Sequence, residues 1–103
     1  MTKRLYNLAF GRSGDKGNIA NISVIARSPQ AYQDIKAKLT AARVKEYFGE
    51  LVKGDVVRYE LDNIEALNFV LYDALDGGGT RSTRIDPLGK SLAGALLYMP
   101  WED

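Results

Sequence analysis

The chain has 103 residues, 14 basic and 13 acidic, for a net charge of +1 at neutral pH, and it contains neither cysteine nor histidine. That length makes one domain able to bury roughly 65% of its unfolded surface, and the missing thiol and imidazole exclude disulfides, thiolate nucleophiles, Cys- or His-based metal sites and imidazole triads. Balanced charge excludes general attraction to nucleic acid or anionic membrane, no window approaches the ~18 apolar residues of a membrane span, and no apolar leader follows Met1, so a cytoplasmic protein is expected.

Leu5 to Phe10 is a short apolar run, and Ala20, Ile22, Val24 and Ala26 alternate with Asn21, Ser23, Ile25 and Arg27, which predicts two strands. Between them, Gly11 to Asn18 reads as a hairpin loop. Ser28-Pro29 predicts an N-cap and first helical position, with Tyr32, Ile35 and Leu39 on one helix face. Thr40 caps a second helix carrying Val44, Tyr47, Phe48 and Leu51, and Gly49 is its expected stop. After Gly54-Asp55, Val57, Tyr59 and Leu61 alternate with Val56, Arg58 and Glu60 as a third strand.

Asp62 and Glu65 have capping-box spacing and predict a helix over 62–75, with Ile64, Leu67, Val70, Leu71, Ala74 and Leu75 on its apolar side. Gly77-Gly78-Gly79 ends it. Thr80 to Ile85 predicts a polar edge strand, and Asp86-Pro87 opens a last helix with Leu88, Leu92, Ala95, Leu96 and Met99 inward and Pro100 at its end. The expected order is β-β-α-β-α-β-α, with no linker or repeat. Residues 1–103 are therefore expected to form a single α+β domain with helices packed on a four-stranded sheet.

Chemistry concentrates in Gly11-Arg12-Ser13-Gly14-Asp15-Lys16-Gly17-Asn18. Glycines let backbone N–H groups approach a ligand, and Arg12 and Lys16 add positive charge, with Ser13, Gly14, Gly17 and Asn18 around them. That combination suits an anion; a solvated turn is the competing reading. Asp15, beside Lys16 and near Arg12, reads as a salt-bridged carboxylate with a depressed pKa, or, with Lys16, as an acid/base pair.

Further along, Arg81 and Ser82 follow the triple glycine, and Lys90 lies in Gly89-Lys90-Ser91 at the start of the last helix, where free N–H groups favour anions. The stretch is not a P-loop, because Arg84 stands where that motif needs glycine. Asn68, among apolar helix positions, is expected to make a buried hydrogen bond to a neighbouring loop. Tyr98, Met99 and Trp101 form either a patch for a partner or second copy, which would make a homo-oligomer, or a clamp on the chain's own core.

The segments Arg12-Ser13-Gly14-Asp15-Lys16-Gly17-Asn18-Ile19-Ala20-Asn21-Ile22, Val57-Arg58-Tyr59-Glu60-Leu61, Ala66-Leu67-Asn68-Phe69-Val70-Leu71 and Ala74-Leu75-Asp76-Gly77-Gly78-Gly79-Thr80 resemble the ferredoxin-fold domain of acyclic-terpene-utilisation (AtuA-like) proteins. The resemblance covers nearly the whole chain and implies a ferredoxin-like fold. It also implies a link with degradation of branched or terpenoid acids as coenzyme A thioesters, and brings no catalytic residues. Two functions are then expected as alternatives. One is an accessory subunit of a larger AtuA-like catalytic protein, without a cofactor of its own and with coenzyme A thioester as substrate. The other is a small stand-alone acyl-CoA lyase or hydratase using Asp15 and Lys16.

Overall fold

The computed structural model describes residues 3–16, 19–74 and 91–101. Two hairpins build its main sheet. Strand β2 (Ala9–Lys16) pairs antiparallel with β3 (Ile19–Ala26), and β4 (Val56–Leu61) pairs antiparallel with β5 (Ala66–Leu71). Antiparallel pairing of β3 with β5 joins them into a four-stranded sheet of order β2-β3-β5-β4. A short second ribbon pairs β1 (Lys3–Arg4) with β6 (Pro100–Trp101).

Among the described residues, the helices α1 (Pro29–Lys38), α2 (Ala41–Phe48) and α3 (Ser91–Leu97) pack on the sheet. The capping logic holds for the first two. Ser28 Oγ accepts from the Ala31 N–H at 3.0 Å, and Thr40 Oγ1 from the Arg43 N–H at 3.1 Å. Gly49 stops α2 with φ +58°, a conformation that disfavours any residue with a Cβ.

Alternation along the strands gives the helix-facing side its core. Val24 lies opposite Leu67, Ile22 opposite Phe69 and Ala20 opposite Leu71, each at most 2% exposed. Tyr32, Ile35, Leu39, Val44, Phe48, Leu92 and Leu96 close over them from the helices. Full burial of such a side chain contributes about 1.5–3 kcal/mol.

The helix expected over 62–75 is instead a 3₁₀ turn (Asp62–Ile64) followed by β5. Glu65 adopts φ +55°, ψ +54°, a left-handed conformation that ends any helical run. The apolar run then falls into period two, with Leu67, Phe69 and Leu71 buried. Asp62 does not cap: its carboxylate accepts from Tyr32 Oη at 2.5 Å and from Lys36 Nζ at 3.0 Å. The first strand is also displaced, because Leu5–Asn7 forms a 3₁₀ turn before β2 begins at Ala9. The polar strand expected over 80–85 and the helix start at Asp86 lie outside the described residues.

Arg58 shows how a charge on the core side of a sheet is satisfied. Its guanidinium donates to the carbonyls of Lys36 at 2.9 Å and Leu39 at 3.1 Å, at the negative end of α1, and to Glu60 Oε2 at 2.7 Å. With Tyr32, Lys36 and Asp62 it ties α1 to β4.

These groups set the pH range of stability. The Tyr32 hydroxyl and Lys36 ammonium hold the Asp62 carboxyl below its usual range, as Trp101 and Lys38 do that of Asp34. Burial, then the Asp62 carboxylate, pushes Tyr32 up to about 12. The folded state binds protons on the two carboxylates less readily than the unfolded chain, so their contribution is lost as pH falls through the usual carboxylate range, about 4 and below. It holds the Tyr32 proton more firmly, so that contribution is full below about pH 10 and lost as pH rises toward 12. Urea melts across pH should give a plateau with both shoulders. Tyr32→Phe should shallow the alkaline shoulder to what Lys36 and Tyr47, both raised, supply. An unchanged alkaline shoulder would contradict this assignment.

Candidate functional site

The glycine-rich segment is mostly strand. Residues Gly11 to Lys16 are paired one by one with Val24 to Ile19, so only positions 17 and 18 connect β2 to β3. The loop expected over 11–18 is therefore strand as far as residue 16, and successive strand residues such as Arg12 and Ser13 lie on opposite sides. Arg12 lies on the side away from the helices and is exposed. Ser13 lies half-buried on the helix side, opposite Ile22.

The glycines have packing roles. A Cβ on Gly11 would stand 3.0 Å from Leu97 Cδ1 and 3.5 Å from Ala93 Cβ, so its absence lets α3 lie close against β2. On Gly14 a Cβ would meet Asn21 Oδ1 at 3.1 Å. Asp15 and Lys16 end β2, opposite Ala20 and Ile19. Gly17, Asn18, Arg81, Ser82 and Lys90 lie outside the described residues.

What the structure brings together is a row running across the whole sheet. Arg12 pairs with Ser23, Ser23 with Asn68, and Asn68 with Tyr59, so register aligns four polar side chains from four strands. Ser23 Oγ donates to Asn68 Oδ1 at 3.3 Å, which leaves the Asn68 amide donors, the Tyr59 hydroxyl and the Arg12 guanidinium available. Among the described residues nothing pairs with Arg12. Asn68 thus makes the side-chain hydrogen bond expected of it, from a strand and to a strand. Phe10, Ile25 and Leu61 flank the row on one side, and Val57 and Val70 on the other. Of these Phe10 is 52% exposed, and Tyr59 in the row is 50% exposed.

An exposed guanidinium with hydroxyl and amide donors beside apolar ground suits an anion attached to an apolar body. Among the described residues no group of three or more acidic side chains could hold a metal ion, and no helix is long and apolar enough to cross a membrane.

The C-terminal aromatics divide. Trp101 and Met99 are buried at 1% and 3%, and the Trp101 indole N–H donates to Asp34 Oδ2 at 2.7 Å, which makes them a clamp on the core. Tyr98 remains outside at 60% exposure. Sequence reasoning missed the open side of the sheet, since the row depends on register between strands far apart in the chain.

No curated protein and no solved structure matches the chain. The family model for the AtuA ferredoxin-like domain matches residues 3–102, almost the full length, and with the two-layer α+β sheet it shows that this chain belongs to the AtuA ferredoxin-like domain family.

Proposed function

We propose that the chain is an accessory subunit or domain of a larger AtuA-like catalytic protein acting on branched or terpenoid acids as coenzyme A thioesters. Its role there is to hold an anionic group of the thioester against the open side of the sheet. Arg12, exposed, without a described partner and standing beside a run of hydrogen-bond donors, carries this reading. Family membership supports the link to a larger AtuA-like protein. Among the described residues the opposite side of the sheet is filled by core side chains. Enzymatic accelerations need about 8 kcal/mol or more, of which positioned acid or base groups supply only about 10²–10⁴-fold; an enclosing partner fits that shortfall.

Charge-assisted hydrogen bonds to phosphate are worth about 1.5–3 kcal/mol. Arg12→Ala should therefore weaken binding of coenzyme A at least tenfold in calorimetry. The same titration on the wild-type chain, alone and with the larger protein, checks the site itself. Branched acyl-CoA thioesters assayed against the isolated chain and the reconstituted pair test the role. Full turnover by the chain alone, unchanged by the partner and lost in Asp15→Asn or Lys16→Ala, would make it an enzyme and overturn the accessory reading.

A further inference from the structure

Beyond the end of the polar row, three exposed aromatics and two arginines form a continuous ridge. The Arg27 guanidinium carbon sits 3.9 Å from the centre of the Phe10 ring, and its Nε donates to the Tyr6 carbonyl at 3.1 Å. The Tyr6 ring lies 6.3 Å from that of Tyr98, and Arg4 stacks on Tyr98 at 4.5 Å while donating to the Tyr98 carbonyl at 2.9 Å. Tyr6, Phe10 and Tyr98 are 44%, 52% and 60% exposed.

Each arginine is held by a stack and one carbonyl, and each keeps further N–H donors without a described partner. No described carboxylate pairs with either. A guanidinium fixed in place and still able to donate is preorganised for a two-point bond to a carboxylate. The adjoining sheet positions, Ile25, Leu61 and Tyr59, extend the ridge with apolar area, and none of the positions that β3, β4 and β5 give to this side is acidic.

We infer that this ridge is the docking surface for an acidic, partly apolar surface of a protein partner, which covers the open side of the sheet and encloses the anion held by Arg12. The inference rests on the accessory reading above and names the surface through which it works. Charge selects the occupant. A two-fold contact between copies of this chain would bring the same ridge to both sides of the axis, setting arginine against arginine with no carboxylate between them, and unpaired buried charge is costly. A partner carrying Asp or Glu removes that cost, and tyrosine and arginine are the side chains around which binding energy concentrates.

The test uses the wild-type chain and a larger AtuA-like protein from the same organism, with the dissociation constant measured at low and high salt. Affinity should fall as salt rises. Arg27→Glu should weaken it at least tenfold and flatten the salt dependence. The pair Gln30→Glu, Gln33→Glu, which makes the same charge change on exposed positions of α1, should leave it within twofold. Arg12→Ala should lose coenzyme A binding while keeping the partner. Should Arg27→Glu melt early, Arg27→Gln and Arg4→Gln, which remove charge and keep shape, read the same loss. A complex indifferent to these variants and to salt would overturn the docking surface and leave the accessory reading standing. Absence of any complex would overturn both. Self-association of the wild-type chain that Arg27→Glu abolishes would assign the ridge to a second copy instead.

Discussion

Trp101→Ala should lower stability by about 3–5 kcal/mol, the range for truncating a buried tryptophan. The side chain is 1% exposed, pairs through its backbone with Lys3, stacks under Arg43 at 4.6 Å and donates to Asp34 at 2.7 Å. Asp34 in turn accepts from Lys38 at 2.9 Å. Removing the indole leaves a cavity in the core beside α1 and α2 and takes away the donor that most holds the Asp34 carboxyl down. Total stability for a domain of this size is about 5–15 kcal/mol. The melting temperature should therefore drop by more than ~10 °C. Trp101→Phe, which fills most of the space, should lose less and, with the Asp34 donor gone, make the acid shoulder shallower. A drop of only a few degrees for the alanine variant would show that the indole contributes little.

The second large effect is expected from Gly54→Ala. A Cβ there would stand 2.7 Å from the Tyr72 carbonyl oxygen and 2.9 Å from its carbon, and backbone cannot move aside as a flexible side-chain end can. The Gly54 N–H donates to that same oxygen at 2.9 Å, and Lys45 Nζ donates to the Gly54 carbonyl. The methyl must separate the chain from Tyr72 and loosen both bonds. Overpacking of this kind costs about 1–3 kcal/mol, and the loss of a backbone hydrogen bond adds to it. Urea midpoints read the change; a midpoint equal to wild type would mean that the turn shifts freely.

Local rules made α1, α2 and β4 legible, because caps at Ser28 and Thr40, the stop at Gly49 and the alternation of Val56 to Leu61 each act within a few residues. β5 was not legible for a physical reason. In Ala66-Leu67-Asn68-Phe69-Val70-Leu71 nearly every side chain is apolar, so helical and strand periods both find matches. The decision comes from hydrogen bonds to β3 on one side and β4 on the other. The same holds for the site. Composition pointed to Arg12, but its neighbours in space, Ser23, Asn68 and Tyr59, come from three other strands. The backbone of Asp15 and Lys16, beside it in sequence, continues β2 instead of forming a loop with it.

The sheet consists of two hairpins that meet along a single seam, Ala20 to Ile25 against Leu71 to Ala66. Each hairpin closes locally, on the microsecond scale typical of such units. Closing the seam spans the stretch that carries α1 and α2, and that longer loop has the larger entropic cost. Until then β3 and β5 each expose an unpaired edge. The segment between the hairpins therefore does more than cover a core: its length sets the closure cost that has to be met before two strand edges are hidden from a neighbouring chain.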